Sequence, residues 1–229
     1  FLLAAGYGTR LKPFTDTVPK CMMPICGKPL LSWWMELFEK HSVTEVLVNT
    51  HYLPDAVREF VQIYNAKNTG VRLIEAYEKE LLGSGGTILA NKGFVESESD
   101  FLVCYADNLT DTNLSELIAF HRKKQSVLTM GLFYTNKPIE CGIAAIDSQD
   151  LIYEFTEKPE SPKSNLANAG IYVTGQEIFK YLPNQKFIDF GKDVLPKLIN
   201  KMYGYEIKDY LLDIGNLDNY EKAQKEWQL

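Results

Sequence analysis

The first thirty residues constrain this chain more than any other stretch. Phe1 to Ala5 form an apolar run that reads as a buried strand, and it stops at Gly6-Tyr7-Gly8-Thr9-Arg10. A loop marked by Pro and Lys follows, and Pro29 opens an amphipathic helix. Two closely spaced glycines after a strand let backbone amides approach a phosphate chain. Arg10 and Lys20 add the fixed positive charge that a triphosphate requires.

The remaining sequence continues as strands and helices in alternation. Over residues 30 to 41, Leu30, Trp33, Trp34, Leu37 and Phe38 share one helical face, and the two tryptophans read as core packing. Glu45 to Thr50 alternates as a strand. A helix over 54 to 64 begins at Pro54 and turns Val57, Phe60, Val61 and Tyr64 inward. A strand over Val71 to Ala76 leads through LLGSGG into the next helix. The run DFLVCYA at 100 to 106 is apolar throughout, as a central parallel strand covered on both faces would be. A helix at 114 to 124 completes a fourth unit. This order predicts an α/β fold, a Rossmann-like doubly wound mixed sheet flanked by helices in three α/β/α layers. After Ser126 the strands VLTMGLFYT, CGIAAID, LIYEFTEKP and AGIYVTG are separated mainly by short turns, which predicts antiparallel additions in the C-terminal half. Helices are expected at 175 to 181 and 192 to 201, then a strand, then a last helix at 217 to 227. No Gly-, Ser- or Pro-rich linker and no internal repeat interrupts the chain. A single domain over 1–229 is expected, with a nucleotide half (1–125) and an acceptor half (126–229).

Composition narrows the partners. The formal charge of -6 argues against nucleic acid, whose backbone needs a basic face. No apolar run approaches the roughly 20 residues that span a bilayer. Cys21, Cys26, Cys104 and Cys141 are scattered and complete no zinc site, so free thiols in a cytoplasmic protein are expected. No signal peptide is apparent. The chain begins without Met and already inside a strand, from which a few preceding residues are expected.

In open α/β sheets, ligands sit beyond the carboxyl ends of the strands. Four distant features fall at such ends: Gly6 to Arg10, Leu82 to Gly86, Asp107, and Asp213 with Gly215. Two converging carboxylates could hold Mg2+, a hard cation that takes one or two carboxylates plus phosphate oxygens. Alone, each aspartate reads as a helix cap or turn residue. Their agreement with the glycine loop makes the metal reading the stronger one. Lys20, between Pro19 and an apolar stretch, reads as a phosphate ligand instead of a solvated surface lysine. Glu157-Lys158 precedes Pro159 at a strand end and could grip a hydroxylated, phosphorylated second substrate; the alternative is an exposed ion pair worth under ~1 kcal/mol. His41, His51 and His121 share no metal spacing and read as surface or helix-end residues. Neither G-x-x-x-x-G-K-[ST] nor a full G-x-G-x-x-G is present, since Leu11 occupies the third glycine position.

The order of these motifs resembles the sugar-1-phosphate nucleotidyltransferases, or nucleotide-sugar pyrophosphorylases. The family pattern G-x-G-T-R-L-x-P-x-T followed by P-K-x-M-x-P-I-x-x-K-P-L meets G-Y-G-T-R-L-K-P-F-T and P-K-C-M-M-P-I-C-G-K-P-L here. The resemblance continues through LLGSGG, YADN, CGI, FTEKP, NAGIYV and LLDIGNLDNY, over essentially the whole chain. It implies that Leu3, Ala5, Gly6, Gly8 and Thr9, with Glu78 and Gly83, hold the nucleotide. Arg10 and Lys20 would be catalytic, on the triphosphate. Asp107 and Asp213 would carry Mg2+, and Asn108, Gly142, Glu157, Lys158 and Asn168 would bind the sugar phosphate. Cys141 stands where the family often has Tyr, and G-S-G-G replaces the commoner G-T-A-G. The chain resembles the short members that lack a C-terminal left-handed β-helix. Transfer of a nucleoside monophosphate from an NTP to a sugar-1-phosphate is therefore expected, with a lean to GTP and a mannose- or heptose-type phosphate. Two alternatives stay open: cytidylyl or uridylyl transfer to phosphocholine, another phosphorylated alcohol or an amino-sugar phosphate, and a non-catalytic nucleotide-sugar sensor or regulatory subunit. A homodimer is the default oligomeric expectation.

Overall fold

The computed structural model describes residues 1–227, so Gln228 and Leu229 of the expected domain lie outside the described residues. In chain order its elements are β1 (Leu2–Leu3), β2 (Pro24–Ile25), β3 (Lys28–Pro29), α1 (Leu30–Lys40), β4 (Glu45–Thr50), α2 (Pro54–Ala66) and β5 (Arg72–Tyr77). Then come α3 (Gly83–Ala90), β6 (Asp100–Tyr105), β7 (Asn108–Thr110), α4 (Leu114–Lys124), β8 (Leu128–Tyr134), β9 (Gly142–Ile146) and β10 (Ile152–Glu157). The last are β11 (Leu166–Gly175), β12 (Met202–Glu206), β13 (Leu211–Asp213) and α5 (Leu217–Glu226). The alternation gives the expected α/β fold, with mixed sheet flanked by helices. Among the described residues no helix is long and apolar enough to cross a membrane, and all four cysteines are thiols outside any disulfide.

Local sequence explains the helix ends. Pro54 starts α2 at the position where its missing N–H costs nothing. Asn113 caps α4 by accepting from the Glu116 amide at 3.2 Å, and Asn216 caps α5 by accepting from the Asn219 amide at 2.9 Å. Helix α1 buries Leu30, Leu31, Trp33, Trp34, Leu37 and Phe38, an apolar face wide enough to seat it against the core.

The chain forms two compact units that do not follow its linear order. The first comprises Phe1–Leu81, Tyr105–Thr112 and the residues from Asp209 onward; the second comprises Leu82–Cys104 and Asn113–Lys208. In the first unit β1 and β5 flank β4, all parallel, with Leu3 opposite Asn49 and Thr50 opposite Tyr77. The Ala106 amide donates to the Leu3 carbonyl at 3.0 Å, which brings the segment carrying Asp107 alongside β1. The short strands β7 and β13 pair antiparallel, with Asp213 opposite Asn108. In the second unit β11 runs antiparallel to β6 and β8, β9 pairs with β11 and β10, and β12 lies parallel to β8.

Several expectations are corrected. The four strands β8 to β11 pair antiparallel as expected; the apolar strand at 100 to 106, expected to be parallel, runs antiparallel to β11, and β12, outside that set, joins β8 in parallel. Residues 192 to 201 do not form an α-helix. A π-turn over Phe190–Val194 gives way to a 3₁₀ turn over Leu195–Leu198, because Pro196 removes an amide that a continuous helix would use. The expected helix at 175 to 181 is a 3₁₀ segment, Gln176–Lys180, stopped short of Pro183.

His121 is the clearest departure from the surface reading. It lies on the inward face of α4 with Leu114 and Leu117 and is 3% exposed. One ring nitrogen, Nδ1, meets Thr129 Oγ1 at 2.9 Å, and Nε2 lies 3.6 Å from Asp100. Burial lowers the imidazole pKa; Asp100 opposes that shift and Arg122 reinforces it. The unfolded chain therefore binds a proton that the fold resists. Stability is complete above about pH 6.5, the unfolded value, and falls as pH drops below it. Urea midpoints at pH 7.5 and 5.5 should fall more in the wild type than in His121→Gln. Parallel losses in the two proteins would remove His121 as the cause.

Candidate active site

The glycine loop leaves β1 held at both ends. The Ala4 amide donates to Asn49 Oδ1 at 2.6 Å, and Thr15 Oγ1 donates to the Gly8 carbonyl at 2.8 Å. Gly8 has φ +64°, a conformation that favours glycine, and a Cβ there would stand 3.0 Å from the Thr15 methyl, so space is tight as well. The 3₁₀ turn Thr9–Leu11 buries Leu11 and leaves Arg10 reaching outward. Of the expected nucleotide ligands, Ala5 is buried, Leu3 half-buried, and Gly6 and Thr9 exposed.

Lys20 opens a further 3₁₀ turn, Lys20–Met22, which buries Cys21. Its side chain is 12% exposed. Nζ donates to Asp107 Oδ2 at 2.7 Å and to Asp213 Oδ1 at 3.5 Å. The β7–β13 pairing creates this convergence: Asp213 faces Asn108, and the Ile214 amide donates to the Asp107 carbonyl at 2.8 Å. Asn219 Nδ2 holds the Asp213 carbonyl at 2.7 Å. Arg10 Nη2 approaches Asp213 Oδ2 at 4.0 Å with both side chains well exposed, a contact worth at most ~1 kcal/mol. Gly215 completes the corner; a Cβ there would lie 2.6 Å from Asp213 Oδ2 and 2.8 Å from Arg10 Nη2.

The two carboxyls differ. Burial opposes ionisation of Asp107, but the Lys20 charge and hydrogen bond, with Arg10 assisting, hold its pKa below the ordinary range. Burial raises Asp213, and the neighbouring Asp107 raises it further, against the pull of Lys20 and Arg10. Among the described residues no cluster of three or more His, Cys, Asp or Glu could hold a metal. A metal here would rest on these two carboxylates and on substrate oxygens. The pair suits a hard cation, being oxygen donors partly open to solvent that already share one positive charge.

Glu78 is 5% exposed, with Oε1 accepting from Asn49 Nδ2 at 2.8 Å. Asn49 thus ties the glycine loop to Glu78, a role the sequence reading missed. The signal was a polar residue that follows directly on the apolar run Val46-Leu47-Val48 yet is buried in the strand. His51 adds a second tie, with Nδ1 2.9 Å from the Glu78 carbonyl and Nε2 3.1 Å from the Tyr7 hydroxyl.

The remaining expected residues lie in the second unit. Gly83 has φ +76° at the start of α3. Gly142 on β9 pairs directly with Glu157 on β10. Burial raises the Glu157 pKa; Lys158 and Lys192 work against that and Asp189 with it. Lys158 has φ +48°, and its amide donates to the Cys141 carbonyl at 3.1 Å. Asn168 is engaged internally: Oδ1 accepts from the Gly170 amide at 2.9 Å and Nδ2 donates to the Tyr172 hydroxyl at 2.7 Å. The first unit therefore gathers Arg10, Lys20, Asp107, Asn108 and Asp213, and the second gathers Gly142, Glu157 and Lys158.

Comparison with known proteins decides the family. The profile described as "Nucleotidyl transferase" matches residues 1–228. The chain belongs to this family. The UTP–glucose-1-phosphate uridylyltransferase of Synechocystis sp. is 30% identical over 241 residues, covering 97% of this chain and 61% of that protein. The mannose-1-phosphate guanyltransferase of Eremothecium gossypii is 30% identical over 219 residues, covering 93% and 60%. The chain thus spans about three fifths of the length of these curated relatives. The crystal structure of HddC from Yersinia pseudotuberculosis complexed with GMP-PN matches with TM-score 0.83 and 27% identity, covering 99% of this chain and 98% of that one. Among the described residues of this nucleotidyl transferase there is no left-handed β-helix.

A group that stabilises charge growing in a transition state is worth about 10²–10³ in turnover. On the expectation that Lys20 and Asp107 act on a triphosphate, Lys20→Ala and Asp107→Asn should each lower pyrophosphate release by at least about 100-fold, with the far-UV circular dichroism spectrum unchanged. Turnover at the wild-type rate in either variant would remove that residue from the chemistry.

Proposed function

We propose that this nucleotidyl transferase moves a nucleoside monophosphate from an NTP to a sugar-1-phosphate, giving an NDP-sugar and pyrophosphate. GTP with a mannose- or heptose-type 1-phosphate is the favoured pair. The observation that carries the reading is the Lys20 ammonium between Asp107 and Asp213, at strand ends beside the glycine loop and Arg10. The base choice is supported by the guanyltransferase relatives and by the GMP-PN complex of the HddC neighbour.

An oxygen of the sugar-1-phosphate, already anionic, attacks the α-phosphorus. The bond from that phosphorus to the bridging oxygen breaks, and pyrophosphate leaves with the electron pair. The nucleophile carries no proton to remove, so no general base is needed. Catalysis reduces to holding two mutually repelling anions and stabilising the charge that spreads over the reacting phosphoryl group. Lys20 and Arg10 supply fixed positive charge to the triphosphate. Lys20 is the more preorganised of the two, because Asp107 and Asp213 hold its ammonium. Asp107 and Asp213 would hold Mg2+, which supplies further neutralisation of the phosphate oxygens when bound. The Glu157 carboxylate would accept hydroxyl hydrogen bonds from the sugar, and Lys158 would meet its phosphate.

Glu157 and Lys158 favour a sugar over phosphocholine as acceptor, since a choline headgroup has no hydroxyl for a carboxylate to accept from. The presence of Arg10, Lys20, Asp107 and Asp213 together weighs against a non-catalytic sensor, which has no need of all four.

The test is pyrophosphate release with Mg2+ across ATP, GTP, CTP, UTP and dTTP, crossed with mannose-, heptose-, glucose- and N-acetylglucosamine-1-phosphate and phosphocholine. GTP with mannose- or heptose-1-phosphate should give the highest turnover. A strong preference for UTP or CTP would overturn the base assignment. Silence across the grid with nucleotide binding retained would favour the sensor.

A further inference from the structure

The π-turn Phe190–Val194 and the residues leading into it join two parts of the second unit that are far apart in sequence. On one side the chain is stitched to the LLGSGG loop. The Ile188 amide donates to the Leu82 carbonyl at 2.9 Å, and the Gly85 amide donates back to the Ile188 carbonyl at 2.8 Å. The Phe190 amide donates to Ser84 Oγ at 2.9 Å, so the first amide of the turn is satisfied by a loop side chain. Phe190 is fully buried and packs edge-on against Tyr172, with ring centroids 5.2 Å apart, which leaves the turn little freedom to shift.

On the other side the turn meets Glu157. A Cβ on Gly191 would lie 2.9 Å from Glu157 Oε2 and 3.1 Å from Cδ. A Cβ on Gly142 would lie 2.6 Å from the same Oε2. Two bare Cα atoms, one from β9 and one from the turn, therefore bracket the carboxylate. The requirement at Gly191 is space alone, because its backbone is not in the left-handed region that favours glycine.

We propose that Ser84 and Gly191 are positioning residues for the acceptor carboxylate. Ser84 fixes the turn, and the turn presents Gly191 as one wall of the notch that aims Glu157 at a hydroxyl of the sugar phosphate. The inference rests on the reading of Glu157 as an acceptor ligand. It assigns Ser84, although it stands in the nucleotide loop, to the binding of the second substrate.

The experiment is steady-state pyrophosphate release with GTP and mannose-1-phosphate for Glu157→Gln, Gly191→Ala, Ser84→Ala and Ser84→Thr. Gly191→Ala should raise the KM for mannose-1-phosphate about tenfold or more, and Ser84→Ala about three- to tenfold, while the KM for GTP stays within about twofold of wild type. Ser84→Thr, which keeps the hydroxyl, should restore the wild-type KM for mannose-1-phosphate. Should Gly191→Ala not fold, the two Ser84 variants decide. If Glu157→Gln raises the acceptor KM but Ser84→Ala and Gly191→Ala do not, the positioning role is wrong and the role of Glu157 stands. A rise confined to the KM for GTP in Ser84→Ala would also overturn it. If Glu157→Gln leaves the acceptor KM unchanged, the reading of Glu157 fails and the inference with it.

Discussion

Lys20 Nζ stands between two carboxylates that arrive from positions 87 and 193 residues further along the chain. Unit charges ~4 Å apart interact by ~4 kcal/mol at an effective dielectric of ~20. An interaction of that size offsets much of the repulsion between the two neighbouring aspartates. With 12% of its side chain exposed, Lys20 keeps most of this strength, whereas the solvated Arg10 contact is largely screened. The same arrangement separates the two acids, because Lys20 holds Asp107 ionised more firmly than Asp213. The proposed chemistry uses the centre as a fixed field of charge, and the first unit is built to hold it still.

That rigidity is distributed among short elements. The β7–β13 pair is only three residues on each strand, yet its register puts Asp107 and Asp213 at one corner. The small Cα of Gly215 lets the corner close. Asn49 in β4 and His51 just after it tie Ala4 and Tyr7, on either side of Gly6, to Glu78. A buried polar group without a partner costs ~1–3 kcal/mol, so these satisfied contacts define a specific geometry as well as adding stability.

The strands and helices of the first 125 residues are legible in the sequence because each carries a clear apolar period and a marked end, such as Pro54 opening α2. The approach of Lys20, Asp107 and Asp213 was inferable from strand ends and from the family pattern. What was hidden depends on pairing across the chain. Strands as short as β7 and β13 have no period to read. The role of Asn49 follows from the register of β1 on β4, which no local pattern fixes. Residues 192 to 201 carry a helical apolar spacing, and Pro196 alone divides the stretch between a π-turn and a 3₁₀ turn. His121 does lie in the last turn of α4, but its spacing from Leu114 and Leu117 already pointed inward, away from the surface.

The central claim is that the two carboxylates beside Lys20 form the metal-bearing reaction centre. The most direct measurement is an electron paramagnetic resonance titration of Mn2+, in place of Mg2+, with GTP present, comparing wild type with the Asp107→Asn and Asp213→Asn variants. The account predicts a protein-bound Mn2+ signal that saturates near one per chain in the wild type and is lost in both variants. A saturating signal of the same stoichiometry in either variant would place the metal elsewhere and contradict the account.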